Sequence, residues 1–213
     1  MKTLYYLRHS IKDANNNISP VGIELAKAQG QCLIPTHGQP QKQGQINPYR
    51  VFVGPLPRTF QTCEAFFSHV TNRYVLADFV VEIKSIGDDE LFKRIVTDGF
   101  KAAVKSGKSN LEALLEAHNG ADIDLWKDIA FSTVEMMFGM MGDGETAVAF
   151  GHSPMIELAA YAIHTWKAVD IEYQLQYRRL GEMEGIVFIY NDPNKSDTVN
   201  GIGVLDRVSL PKQ

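Results

Sequence analysis

The stretch Leu4-Tyr5-Tyr6-Leu7-Arg8-His9-Ser10 decides the fold. Four apolar or aromatic residues make a short buried strand, and an Arg-His pair closes it before a polar loop. In open α/β sheets, ligands bind in the crevice outside the carboxyl ends of the strands. Arg8 and His9 are therefore expected to project from a rigid strand into that crevice. Arg offers a planar, always-charged fork that suits phosphate or carboxylate. His can serve as nucleophile or as acid/base near neutral pH.

Working outward, Ile11–Asn17 reads as a polar loop, and Ser19-Pro20 reads as a helix N-cap followed by its first residue. Ile18 and Ile23 are spaced as a hydrophobic staple. This helix is expected to reach about Cys32, before Pro35 and Gly38, and residues 35–48 read as a surface loop. Tyr49–Val53 is the second strand. It ends in the turn Gly54-Pro55-Leu56, and a helix starts at Pro57 with Phe60, Cys63, Phe66 and Phe67 at helical spacing. Arg58 falls in the first turn, where a cation opposes the helix dipole. That placement makes sense beside an anion.

Tyr74–Ile83 is a third strand candidate, followed by an acidic turn, Ser85–Glu90. Glu90–Gly142 reads as helical, broken at Gly99, Ser106-Gly107, Asn119-Gly120 and Gly139. The Trp126 and Met137 stripe within it reads as core. Thr146–Phe150 is a short apolar strand closing at Gly151-His152-Ser153-Pro154, with a helix from Met155. Residues 171–177 could form a strand, Gly185–Tyr190 reads as one, and Ile202–Leu210 as an edge strand.

The 213 residues suit one domain, or one with an insertion, and the formal charge of −4 comes with no basic run. A nucleic-acid partner is not indicated. An anionic substrate would have to be met by a local cluster of positive groups. No signal peptide and no stretch able to span a membrane is read from the sequence, and Cys32 and Cys63 form no CxxC motif. Both read as buried thiols of a reducing compartment, so a cytoplasmic location is the expectation.

Three strand ends now carry basic groups: Arg8-His9, Arg58 and His152. Two histidines and two arginines in one crevice would bind a tetrahedral dianion, the arginines by bidentate, charge-assisted hydrogen bonds. In this arrangement the chain resembles the histidine phosphatase superfamily, also called phosphoglycerate mutase-like. Tyr6-Leu7-Arg8-His9-Ser10 is similar to its leading Arg-His-Gly motif, with Ser10 for Gly. Ile18-Ser19-Pro20-Val21-Gly22 is similar to its Leu-Thr-x-x-Gly helix start. The run Gly54–Thr62 resembles its Ser-Pro-Leu-x-Arg-x-x-Gln-Thr block, with Gly54 for Ser. Gly151-His152-Ser153 resembles its second-histidine motif. The motifs follow the family order.

The resemblance implies a three-layer α/β/α sandwich with a mainly parallel sheet, as a single domain over 1–213 with a helical insertion or cap at 88–145. It implies that His9 attacks phosphorus in line, that Arg8, Arg58 and His152 neutralise the equatorial oxygens, and that no metal or other cofactor is needed. The sequence lacks the Gly-rich phosphate loop and the HExxH zinc motif. Some members of the family manage without an acid, and in much of it the acid is a Glu in a Leu-x-Glu segment. Ile86-Gly87-Asp88 stands there, so Asp88 is the candidate proton donor, with Asp89, Glu90 and Glu82 as alternatives, or none. Ser10, Asn15, Thr59 and Ser153 are candidates for further substrate hydrogen bonds. His37, His69, His118 and His164 have no motif around them and read as structural or surface residues.

The expected activity is metal-independent hydrolysis of a small-molecule phosphomonoester or a phosphoprotein. The alternatives are a non-catalytic phospho-ligand binding module of the same fold and mutase-type phosphoryl transfer. A serine esterase is disfavoured. Gly151-His152-Ser153 could start a Gly-x-Ser-x-Gly elbow, but Met155 occupies the final position. The sequence gives no oligomeric state.

Overall fold

The computed structural model describes residues 1–34, 49–69, 80–87, 89–167, 180–190 and 199–206. Among these, six strands form one sheet: β1 (Lys2–Arg8), β2 (Tyr49–Val53), β3 (Val80–Glu82), β4 (Thr146–Gly151), β5 (Gly185–Tyr190) and β6 (Val199–Leu205). Seven α-helices accompany them: α1 (Pro20–Leu33), α2 (Pro57–Phe67), α3 (Asp89–Ile95), α4 (Asp98–Lys105), α5 (Asn110–Ala117), α6 (Gly120–Gly139) and α7 (Met155–Lys167).

The strand order is β3-β2-β4-β1-β5-β6. β3, β2, β4 and β1 run parallel, and β5 and β6 add an antiparallel edge. The sheet alternation sorts the apolar side chains into two layers. Leu4 and Tyr6 of β1, Phe52 of β2, and Ala147 and Ala149 of β4 join the core under α6 and α7. Leu7, Val51, Val53, Val148 and Phe150 join the other, with Leu25 of α1 and Cys63, Phe66 and Phe67 of α2. Strands covered on both faces read as continuous apolar runs, as Thr146–Phe150 does. The result is the expected three-layer α/β/α sandwich.

Register places the functional ends together. Arg8 pairs with Gly151, and Val53 pairs with Phe150. The carboxyl ends of β2, β4 and β1 thus lie side by side along one edge of the sheet. The turn into β5 joins them there, because Gly185 pairs with Leu7.

Local chemistry explains the helix starts. The Ser19 Oγ accepts the Gly22 N–H, with Pro20 next. α2 has Pro57 at its start and no side-chain cap. α1 packs on α2 so closely that a Cβ on Gly30 would lie 2.0 Å from the Phe66 carbonyl oxygen. A backbone atom cannot move aside for a methyl group. Gly30→Ala is expected to lower stability by about 1–3 kcal/mol, read as a fall in the urea unfolding midpoint; an unchanged midpoint contradicts this packing.

Several boundaries differ from the sequence reading. Gly99 does not break a helix. The break lies at Val96-Thr97, where the Thr97 hydroxyl caps α4 through the Phe100 N–H and leaves Gly99 in the first turn. The last strand starts at Val199, opposite Tyr190, rather than at Ile202. Of the Tyr74–Ile83 strand, the described part is Val80–Glu82; residues 70–79 and the candidate strand at 171–177 lie outside the described residues. Cys32 is exposed, since the buried stripe of α1 is Gly22, Leu25, Ala26, Gln29 and Gly30. No described helix is long and apolar enough to cross a membrane.

Candidate active site

His9 leaves the end of β1 with its N–H bonded to the Gly151 carbonyl (3.0 Å). Its Nδ1 lies 2.7 Å from the Ser10 carbonyl oxygen. A carbonyl only accepts, so this bond puts a proton on Nδ1 and leaves the lone pair on Nε2. The Arg58 Nε–H donates to that lone pair at 3.2 Å. The other end of the same guanidinium, Nη2, lies 3.4 Å from the His152 Nδ1. Arg58 can only donate, so Nδ1 of His152 accepts and its Nε2 carries the proton. That Nε2 has no hydrogen-bond partner among the described residues. The two imidazoles meet edge to face, with centroids 4.7 Å apart. His9 and His152 are only 6 % and 3 % exposed.

Burial keeps both rings neutral. It pushes His9 from 6.5 down to about 4; Arg58 and Arg8 push the same way, while the Ser10 carbonyl and Glu182 oppose. His152 lies well below 6.5, first through burial and then through His9, Arg58, Arg8 and Lys12. Burial also loosens the Arg58 proton, with Asp89 opposing and Arg8 adding. A guanidinium stays charged regardless. The site thus gathers positive charge within a chain of negative net charge, which concentrates the field on an incoming anion.

These shifts make stability depend on pH. Unfolded imidazole takes up its proton near 6.5, whereas folded His9 does so only near 4. Above about 6.5 neither state binds that proton and the shift has no effect. As pH falls through the window the unfolded state is favoured, by about 3 kcal/mol for His9 alone at the lower end. Urea unfolding should show stability falling from pH 6.5 toward 4, and a shallower slope in His9→Ala. An identical slope in the two proteins contradicts the assignment.

Arg8 is anchored rather than free. Its Nη1 donates to the Leu180 carbonyl (2.6 Å) and its Nη2 lies 3.4 Å from Glu182. A guanidinium has five N–H donors, so others remain for a ligand. The Gln61-Thr62 pair of α2 ties down the loop after β1. The Gln61 Oε1 accepts the Ile18 N–H, and the Thr62 Oγ1 accepts the Ser10 N–H.

The hydroxyl candidates are bonded to the protein itself. The Ser10 hydroxyl donates to the Gly22 carbonyl (2.7 Å) and the Thr59 hydroxyl to the Gly54 carbonyl (2.6 Å). These bonds commit both hydroxyl protons to the backbone of the scaffold. The Ser153 hydroxyl is engaged with Asn110 and Glu157. Asn15 is exposed in a turn built on the Asp13 carboxylate, which accepts the Asn15 N–H at 2.8 Å. Asp88 lies outside the described residues. Glu82, Asp89 and Glu90 are exposed, and Asp89 acts on Arg58 through its charge. His69 and His118 bond backbone carbonyls, and His118 meets Trp126 edge to face.

Some participants gave no sequence signal. Glu182 and Leu180 sit in a turn whose pairing with Arg8 spans 172 positions in the case of Leu180. Phe92 of α3 stands edge-on to His152 at 5.3 Å. Gly87 is needed because a Cβ there would lie 2.8 Å from the His152 Cδ2. Glu157 did carry a signal: it is a lone carboxylate within the apolar run Met155–Ala160.

No family model and no curated protein matches the sequence. Solved structures do match the fold. A phosphoserine phosphatase mutant from Entamoeba histolytica, in complex with phosphoserine, shares 14% identity at a TM-score of 0.57, over 97% of this chain and 96% of that one. YhfR from Bacillus stearothermophilus gives 13% and 0.58 over 98% of each chain. A phosphoglycerate mutase from Bacillus anthracis str. Sterne gives 13% and 0.54, over 97% and 92%. The described sheet, with its parallel strands ending at this cluster, thus has the phosphoglycerate mutase-like fold that these phosphatase and mutase structures share.

Proposed function

We propose that this protein is a phosphatase that hydrolyses a small phosphomonoester, without a metal, through a phosphohistidine at His9. The observation that carries the reading is the His9 ring. It is neutral, it is locked by the Ser10 carbonyl so that the lone pair is on Nε2, and that nitrogen faces Arg58 3.2 Å away. In the proposed reaction a phosphate oxygen takes over the Arg58 N–H. The Nε2 lone pair forms a bond to phosphorus as the ester P–O bond breaks. Arg8, Arg58 and the Nε2–H of His152 offset the charge spread over the equatorial oxygens. The leaving oxygen takes a proton, with Asp88 as the proposed donor and Asp89 next to it. Water then attacks phosphorus and gives a proton back to the carboxylate that protonated the leaving oxygen; the P–N bond breaks, phosphate leaves, and Nε2 regains its lone pair. Helices α3–α6 form the proposed cap over the pocket.

Two structures of phosphoserine phosphatase from Entamoeba histolytica, which has this fold, hold phosphoserine and 3-phosphoglyceric acid. These are phosphate monoesters of small hydroxy compounds, and they support that substrate class here. The test is release of the aryl alcohol from an aryl phosphate in the presence of a chelator. This leaving group needs little protonation, so the identity of the acid does not affect the result. Turnover is expected. Binding of inorganic phosphate with no turnover of any ester would replace the enzyme with a binding module.

A further inference from the structure

His152 is held from three sides by the segment between β3 and β4. Phe92 of α3 stands against its ring. Gly87 packs on its edge, and the Gly87 turn is tied to α6 through the Ser85 hydroxyl, which donates to the Thr133 Oγ1 at 2.7 Å, while the Thr133 hydroxyl donates to the Ile129 carbonyl. The third support is a closed triangle of hydrogen bonds. Asn110, buried at the start of α5, donates from Nδ2 to the Ser153 Oγ and to the Glu157 Oε1 (3.3 Å), and the Ser153 hydroxyl donates to the same Oε1. Ser153 follows His152 directly.

The position of Asn110 is itself fixed. Ser109 caps α5 in a reciprocal capping box with Glu112: the Ser109 N–H donates to Glu112 Oε2 at 2.8 Å, and the Ser109 Oγ accepts the Glu112 N–H at 3.1 Å. Glu157 is fully buried, and burial raises its carboxyl. A buried carboxyl is costly unless its hydrogen-bond partners are in place. The Ser153 turn is thereby pinned to Asn110 more firmly than one exposed hydrogen bond would pin it.

We infer that Asn110 is a positioning residue for His152, through which the helical segment sets the geometry of the phosphate site. The inference rests on the reading of His152 as a phosphate ligand, and it makes that segment part of the site. The test follows the His152 ring nitrogens by nitrogen-15 NMR and the affinity for inorganic phosphate, in the intact protein, Asn110→Ala and Asn119→Ala. Asn119 caps α6 and touches no part of the triangle, so its variant controls for loosening of the segment.

Asn110→Ala is expected to move the His152 resonances and to weaken phosphate about tenfold, while Asn119→Ala moves neither. Resonances that stay in place overturn the inference. So do resonances that move without a change in affinity, or that move equally in Asn119→Ala. Failure of the hydrolase reading is seen separately, as absent aryl phosphate turnover in the intact protein. If the intact protein binds no phosphate, the resonances alone decide.

Discussion

His9→Ala is expected to lower turnover of an aryl phosphate by at least about 10⁴-fold. The size follows from the chemistry. Without the His9 imidazole no lone pair is set toward phosphorus, because the His152 Nε2 carries a proton, and the remaining groups can only bind and polarise the ester. Phosphate affinity should fall much less, because Arg8, Arg58 and His152 remain. The variant should therefore lose kcat and keep most of its binding, which stopped-time assays and phosphate titration can separate. A kcat within tenfold of the intact protein's would mean that His9 is not the nucleophile.

Arg58→Ala should cost about 10²–10³-fold in kcat/KM, the usual size for removing a charged donor aimed at developing charge. The more telling variant is Arg58→Lys. One guanidinium reaches both imidazoles, with Nε at 3.2 Å from His9 and Nη2 at 3.4 Å from His152. An ammonium is a single point charge and cannot replace a planar fork. Arg58→Lys should thus lose nearly as much as Arg58→Ala. Recovery to within about tenfold would show that charge alone matters and that the bridging geometry does not.

Much of this was legible in the sequence because it is local. Pro57 and the Ser19-Pro20 pair marked helix starts to the residue, since caps and proline act within one turn. Thr146–Phe150 and Gly185–Tyr190 showed as strands because buried strands are apolar throughout. Arg8, His9, Arg58 and His152 could be grouped because each ends an apolar run, and the parallel register does bring them together.

What stayed hidden depends on pairs distant in sequence. Ser10 and Thr59 stand in site motifs, yet their hydroxyls bond the Gly22 and Gly54 carbonyls. Whether a hydroxyl faces a ligand or a carbonyl is set by packing that no short motif encodes. Glu182 reaches Arg8 only because β5 runs antiparallel to β1. Asn110 reaches Ser153 only through the packing of α5 against α7. The Gly99 misreading had another cause: a glycine in a first turn costs little when a threonine caps the helix before it.

The most direct test of the account is to trap the intermediate. The intact protein is mixed with an aryl phosphate, quenched in alkali within a turnover, digested and mapped by mass. The account predicts one phosphoryl group, on His9, absent from His9→Ala and lost as the substrate is exhausted. A phosphoryl group on His152 or on a carboxylate, or turnover with no phosphorylated peptide at any time, would contradict it.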